Sequence, residues 1–495
     1  MPLSGWPSRE PPTRWRYLAA LGAGALLPFA LAPFGLWPLL LISAGALFWL
    51  LRDARIPGRA FRLGWYYGVG KYGVGASWVY VSIHTYSETP AWLAALLVAG
   101  FVAGMAVFTA LMGMAFHALA RLRENDPVGV ALMFAVIWTV VEWLLTWFLS
   151  GFPWLFAGYA FLDTPLAGLA PVGGVLLVSL AAVMTATLVV AAPRRLGVLA
   201  IPVVTWLAAF GLGTVSWTER GGAHDVALVQ GNIPQSIKWT PDGVDLSVER
   251  YRELTKTVGD TDIVVWPEAA IPDYLRRRKG FIEAQRPGSG DVVTGIFVAE
   301  ATADGFDYYN AAMSTGGGVY RKRRLVPFGD YLPFESLLRG ALAFFDLPMS
   351  GTSAGAAEQP LLKAGGIDLS MAICWEIAYP RAVAMSVEGA DALVTISNDT
   401  WFGASIGPRQ HFQIARMRAV ENGRYLLRAT NNGITAIIDD RGDVVDRLPQ
   451  FEPGVLTGSI HAMSGTTPFG LWTNWPLFVA LLAIVVGVLS FRPRR

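Results

Sequence analysis

The sequence predicts a membrane α-helical bundle of about eight transmembrane helices joined to an extracytoplasmic α/β domain. Three observations carry that reading. Of 495 residues, 53% are hydrophobic and 15% charged, and the mean hydropathy is +0.43, whereas soluble globular chains carry nearer a quarter charged residues. The apolar runs cluster at the two ends of the chain. Between them, short β-type runs alternate with helical patterns, as in an α/β sheet. The nineteen Trp residues suit a membrane interface, which indole rings favour. A net charge of +2 gives no sign of nucleic-acid binding, and a single cysteine, Cys374, excludes an intramolecular disulfide and a Cys-rich metal site.

Candidate spans run through Tyr17–Leu31, Leu36–Leu51, Leu63–Ile83, Ala91–Leu119, Val128–Leu149, Leu166–Val190, Leu196–Val215 and Leu471–Leu489. Crossing a bilayer takes roughly 20 apolar residues in a helix. The first two runs are short and divided by Pro33 and Gly35, so a tilt or a tight helical hairpin is expected there. A second apolar run follows the first at once with no small-residue cleavage site between them, which argues against a signal peptide.

Charge sets the orientation. Arg9, Arg14 and Arg16 precede the first span, and Arg52, Arg55, Arg59 and Arg62 follow the second. Arg121 and Arg123 follow the fourth, Arg194 and Arg195 the sixth, and Arg492, Arg494 and Arg495 end the chain. The alternate loops, around Pro33, Glu88 and Ser150–Trp154, carry neither Lys nor Arg. Basic loops stay cytoplasmic. The expected division is therefore 1–216 as about seven helices, 217–466 as a domain on the outer face, and 467–495 as a last helix, with both termini cytoplasmic.

Within the middle segment the β-type runs are Val226–Gln230, Ile263–Trp266, Val292–Phe297, Leu369–Ile373, Ala392–Ser397 and Ile434–Ile438. Helical patterns fall at Leu246–Val258 and Arg409–Gly423, and Asp440–Asp443 reads as a hairpin turn.

Three stretches bring reactive groups to strand ends. Val264–Ala269 ends a strand in Pro267 and then offers Glu268. Tyr320–Asp330 carries Lys322 within a basic run. Met371–Glu376 ends a strand in Cys374. A free cysteine is either a small buried hydrophobe or a nucleophile. Open α/β sheets place their sites at the carboxyl ends of strands. A neighbouring ammonium lowers a thiol pKa, a carboxylate can take its proton, and a lysine with a backbone N–H can hold an oxyanion. Acyl transfer through a thioester needs these parts and no metal. His84, His117, His224, His411 and His461 show no metal-ligand spacing, and Glu268 makes a Cys–His pair unnecessary.

The motifs WPEAA, K-x-x-LVPFG and ICWE resemble the Glu–Lys–Cys pattern of the carbon–nitrogen hydrolase (nitrilase) superfamily. With the flanking spans, Gly151–Leu155, Val229–Gln235, Ser397–Gly403 and Arg418–Arg424, nearly the whole chain resembles the apolipoprotein N-acyltransferase family. The resemblance implies an αββα sandwich on the periplasmic side of a bacterial inner membrane, no cofactor, and ping-pong acyl transfer. Cys374 is then the nucleophile, Glu268 the general base and Lys322 the group that steadies the tetrahedral intermediate. The implied donor is a phospholipid, usually phosphatidylethanolamine, giving up its sn-1 acyl group. The implied acceptor is the α-amine of a diacylglyceryl-cysteine on an apolipoprotein. By motif position Asp330, Glu376 and Trp375 support the triad, and Trp239, Asn310 and Trp401 line the substrate site. The sequence departs from the pattern at Asp330, where Glu is expected, and at Trp375, where Tyr is common. Leu337–Met349 reads either as a core helix or as a mobile apolar lid touching lipid, and the resemblance favours the lid.

Two other functions compete. A membrane-tethered amidase or nitrilase would use the same triad with water as second nucleophile, but small amides need no seven-span platform. A transporter or receptor would show repeat symmetry among its spans, and none is visible. Glu142 and Lys71, ionisable residues inside spans, receive no role.

Overall fold

A computed structural model of the protein describes residues 13–86, 89–123, 126–303, 305–327, 329–331 and 351–490. The anticipated lid at Leu337–Met349, Phe328, Glu88, Arg9 and the arginines at 492, 494 and 495 lie outside the described residues.

Each apolar run is helical. The helices are Thr13–Leu26, Pro38–Arg52, Pro57–Gly75 with Trp78–Tyr86, Ala91–Ala120, Pro127–Leu144, Ala170–Ala191, Leu196–Gly213 and Trp475–Ser490. Among the described residues four helices are long and apolar enough to cross a membrane: Ala91–Ala120, Pro127–Leu144, Pro165–Ala191 and Leu196–Gly213. Three expectations shift. The run Leu63–Ile83 breaks between Gly75 and Trp78, Leu471–Leu489 breaks between Trp472 and Trp475, and Val128–Leu149 is α-helical only to Leu144, giving way to a short turn with Leu149 and Ser150 at positive φ. Proline opens the helices at Pro38, Pro57 and Pro127, where a missing N–H costs nothing. The Asp126 side chain caps Pro127–Leu144 by accepting from Gly129 N at 2.9 Å. Small residues set the closest crossing. A Cβ on Gly24 would sit 1.9 Å from the Tyr67 carbonyl oxygen, and one on Gly70 2.1 Å from that of Leu21, the close approach typical of helices packed in lipid.

The middle segment forms two six-stranded sheets. The strands are β1 (Thr218–Gln230), β2 (Ile263–Val265), β3 (Asp291–Thr302), β4 (Gly305–Ser314), β5 (Val319–Arg321), β6 (Leu362–Ala364), β7 (Ile367–Ile373), β8 (Ala392–Ser397), β9 (Leu426–Thr430), β10 (Ala436–Ile438), β11 (Val444–Arg447) and β12 (Gly454–Gly465). Their orders are β12-β1-β2-β3-β4-β5 and β11-β10-β9-β8-β7-β6. Alternation along each strand creates the layers. Val226 and Leu228 face the second sheet, meeting Leu369, Met371, Ile373, Val394 and Ile396 in one core. Ala227 and Val229 face outward beneath Tyr251 of the helix Pro241–Lys256. On the other outer face Ala372, Leu393 and Leu426 pack under Phe412, Ala415 and Ala419 of the helix Gly407–Asn422. The result is helix, sheet, sheet, helix. The hairpin turn at Asp440–Asp443 joins antiparallel β10 and β11 as read from sequence.

The helix Gly407–Asn422 seats the sheets on the helical bundle, and fourteen of its sixteen residues are buried. Gln410 Oε1 accepts from Trp154 Nε1 at 2.7 Å, Gln413 Nε2 donates to the Tyr159 carbonyl at 3.0 Å, and Glu421 Oε1 accepts from Val175 N at 2.7 Å.

Candidate active site

β1-β2-β3 and β7-β8-β9 are parallel runs. Their carboxyl ends open on one region, and the chain delivers a functional group just past each of β2, β5, β7 and β8. Glu268 follows β2 by way of Trp266 and Pro267, and Ala269 at φ 46° turns the chain sharply there. Gly295 permits the turn, because a Cβ at that position would sit 2.6 Å from Glu268 Cα.

Glu268 is buried and held at both oxygens. Oε1 accepts from Asn310 Nδ2 at 2.7 Å and from Lys322 Nζ at 3.4 Å, and Oε2 accepts from Asn398 N at 2.8 Å. Lys322 is 2% exposed and pairs with Asp330 Oδ2 at 2.8 Å. Burial works against its ammonium, yet Asp330, Glu268 and Cys374 outweigh that and hold its pKa above the ordinary value. Asp330 also accepts from Val326 N at 2.8 Å. The shorter carboxylate thus reaches the lysine directly, although Glu is the expected residue.

Cys374 begins a short turn after β7, partly buried and at φ 55°. Burial pushes its thiol well above the usual range, Glu268 and Asp399 push it further, and Lys322 and the neighbouring Ser397 hydroxyl pull it back. The sequence suggested an ammonium-lowered thiol. Here desolvation and two carboxylates act against the ionised thiol, and the ammonium acts for it.

The other anticipated residues divide into two sets. Asn310 joins the triad, carrying Glu268 on its side chain and accepting from Lys322 N at its carbonyl at 2.8 Å. Glu376 brackets two strand ends. Its Oε2 accepts from Ile373 N at 2.8 Å and Tyr320 Oη at 2.9 Å, and its Oε1 from Arg323 N at 2.6 Å and Arg324 N at 3.0 Å. It therefore ties the residue before Cys374 to the segment that carries Lys322. Trp375 turns to the bundle, stacked on Trp154 with ring centroids 5.1 Å apart and planes 7° from parallel. Trp401 leans on the helix Trp78–Tyr86, its ring 5.9 Å from Tyr86 and its carbonyl accepting from Ser82 Oγ at 2.8 Å. Trp239 is half-buried against Phe297.

Sequence reasoning missed three residues. Lys238, fully buried, donates from Nζ to the Glu268 carbonyl at 3.4 Å; burial lowers its pKa to about 8 against the pull of Glu268. Its place beside Trp239, a residue the resemblance assigned to the substrate site, was the available signal. Ser397 was read as the end of a strand and the first residue of a matching stretch, with no role of its own. His411 was set aside with the other histidines, yet its Nε2 lies 3.2 Å from the Cys374 carbonyl oxygen. No group of His, Cys, Asp and Glu suited to a metal exists among the described residues.

A model of the apolipoprotein N-acyltransferase N-terminal domain matches residues 23–188, and a carbon–nitrogen hydrolase model matches residues 225–468. An apolipoprotein N-acyltransferase of Pseudomonas aeruginosa is 45% identical over 96% of this chain and 94% of its own length. One from Azotobacter vinelandii is 43% identical, covering 99% and 96%. One from Vibrio cholerae is 39% identical, covering 97% and 98%.

Proposed function

The chain belongs to the apolipoprotein N-acyltransferase family, and from that premise we propose that it N-acylates the amino-terminal diacylglyceryl-cysteine of apolipoproteins through an acyl thioester on Cys374. The observation that carries the mechanism is the convergence at one strand-end region of a thiol, a buried carboxylate and a buried ammonium, with Glu268 Oε1 3.4 Å from Lys322 Nζ and both coupled electrostatically to Cys374.

In the first half-reaction Glu268 takes the thiol proton as sulfur attacks the sn-1 ester carbonyl of a phospholipid, phosphatidylethanolamine for preference. The oxyanion falls to Lys322. Of its three hydrogens, two face Asp330 and Glu268, leaving one. The carbon–oxygen bond breaks, Glu268 returns the proton to the leaving alcohol, and lysophospholipid departs. In the second half-reaction the α-amine of the acceptor attacks the thioester and Glu268 takes a proton from nitrogen. The carbon–sulfur bond then breaks, the thiol is restored and the amide is released. Asn310 and Asp330 orient base and ammonium, and Trp239 and Trp401 border the substrate path.

Residues 1–216 and 467–495 supply the eight spans, and 217–466 stand on the periplasmic side of a bacterial inner membrane with both termini in the cytoplasm. The basic loops support that orientation. The bundle also favours a lipid-borne donor over the amidase reading, because a donor that never leaves the bilayer must be met there. A synthetic diacylglyceryl-cysteine peptide incubated with the protein and phospholipid tests the activity. The wild-type chain converts it to the triacyl form and Cys374→Ala, folded to the same melting temperature, does not. Conversion by Cys374→Ala at the wild-type rate overturns the proposal.

A further inference from the structure

Cys374 sits at a positive φ that costs a non-glycine residue on the order of 1–2 kcal/mol, and such a conformation persists only where its surroundings over-determine it. Two of the constraints are described above: Glu376 on Ile373 N, and the Trp375–Trp154 stack. The third is His411, which is fully buried. A carbonyl oxygen can only accept, so the 3.2 Å contact with Cys374 is a hydrogen bond in the tautomer that carries the ring hydrogen on Nε2. In that tautomer Nδ1 accepts from Arg428 Nη2 at 3.1 Å, with Asp399 Oδ1 3.0 Å away. Asp399 and Arg428 are themselves buried and joined at 2.7 Å. The imidazole packs against Trp154, tilted by 33° at 5.7 Å, and at a T-shaped angle to Phe402 at 5.9 Å. Both ring nitrogens and two aromatic neighbours thus hold the ring.

We propose that His411 is a positioning residue for acyl transfer, its Nε2–H holding the Cys374 carbonyl and, through the planar peptide, the attitude of the nucleophile and of the Trp375 N–H. A peptide unit is planar, so the bond that fixes the carbonyl also aims the N–H on its opposite edge. The Asp399–Arg428 pair keeps the ring from turning. Glu268 and Lys322 act on the sulfur, whereas His411 acts on the backbone that carries it. The inference rests on Cys374 being the nucleophile.

The test uses the full chain in mixed detergent–phospholipid micelles, with acylation of Cys374 followed by intact mass under single-turnover conditions at several phospholipid concentrations. H411F keeps the ring packing and loses the donor; H411Q keeps a donor. We expect H411F to acylate about tenfold more slowly at saturating lipid, the worth of one hydrogen bond, with half-saturation unchanged, and H411Q to recover to within about threefold of wild type. Acylation of H411F at the wild-type rate, or H411F and H411Q equally slow, overturns the inference, the latter because packing and not the donor would then matter. Should H411F not fold, H411M takes its place in both outcomes. Absence of an adduct on wild-type Cys374 defeats the nucleophile reading itself, and this inference with it.

Discussion

In the proposed mechanism Glu268 has two opposed effects on Cys374. As a nearby negative charge Glu268 raises the thiol pKa; as the proton acceptor it makes attack possible. Substitution separates the two. Glu268→Gln should slow acyl transfer by roughly 10²–10⁴-fold while making Cys374 alkylate faster with iodoacetamide at pH 8, since Lys322 is then less opposed. Slower alkylation would show that the carboxylate is not the group holding the thiol protonated. Lys238 makes a prediction of its own. Its folded pKa of about 8 lies below the ordinary 10.5, so between those values the unfolded chain binds more protons and stability rises with pH. Below about pH 8 both states are charged and the full cost is felt. Lys238→Met should remove the rise in melting temperature between pH 8 and 10.5 and stabilise the protein near pH 7 by roughly 3 kcal/mol. An unchanged pH slope would contradict this. The residues legible in the sequence were those whose neighbours in the chain announce a strand end: Glu268 after Pro267, and Cys374 after an apolar run. Lys238, Ser397 and His411 were not legible in this way, because their partners lie 30, 23 and 37 positions away respectively.

Strands and helices hold these groups in register. Glu376 links the end of β7 to the chain leaving β5 by accepting four hydrogen bonds. Glutamine keeps the size but replaces one acceptor by a donor. Glu376→Gln should therefore cost about 1–3 kcal/mol, read as a lower melting temperature, together with slower acylation of Cys374. A melting temperature equal to wild type would remove Glu376 from this bracketing role. Six β-type runs were visible by composition, and each lies in or overlaps an observed strand. The strands that escaped notice explain themselves. In β12 the apolar Val455, Leu456, Ile460 and Met463 are broken up by Gly, Ser, Thr and His, β11 is Val444–Arg447 with only two apolar members, and β4 begins at an exposed Gly305. Their place in the sheets comes from pairing, not from their own pattern. The helix Gly407–Asn422 was visible as a helix, but its burial on both sides was not. Its polar residues Gln410, Gln413 and Glu421 look solvent-facing in sequence and instead bond to the bundle.

At the scale of the whole molecule, the junction of the helical bundle with the double sheet includes the helix Gly407–Asn422 and an aromatic seam. Trp154 of the bundle stacks on Trp375, the residue after Cys374, and Trp78 packs edge-on to Phe402 at 4.7 Å. Cys374 is therefore built against the bundle rather than at a distance from it, which suits the lipid-borne donor proposed for it. Composition alone divided the chain into apolar ends and an α/β middle. The seam depended on long-range pairing of aromatic residues that look, in sequence, like ordinary interface tryptophans. The most direct test of the central claim is intact mass spectrometry of the purified protein after incubation with phospholipid alone. A single added acyl mass, located to Cys374 and released by hydroxylamine, is the predicted result. A protein that supports transfer to an acceptor peptide yet never carries that mass would contradict it.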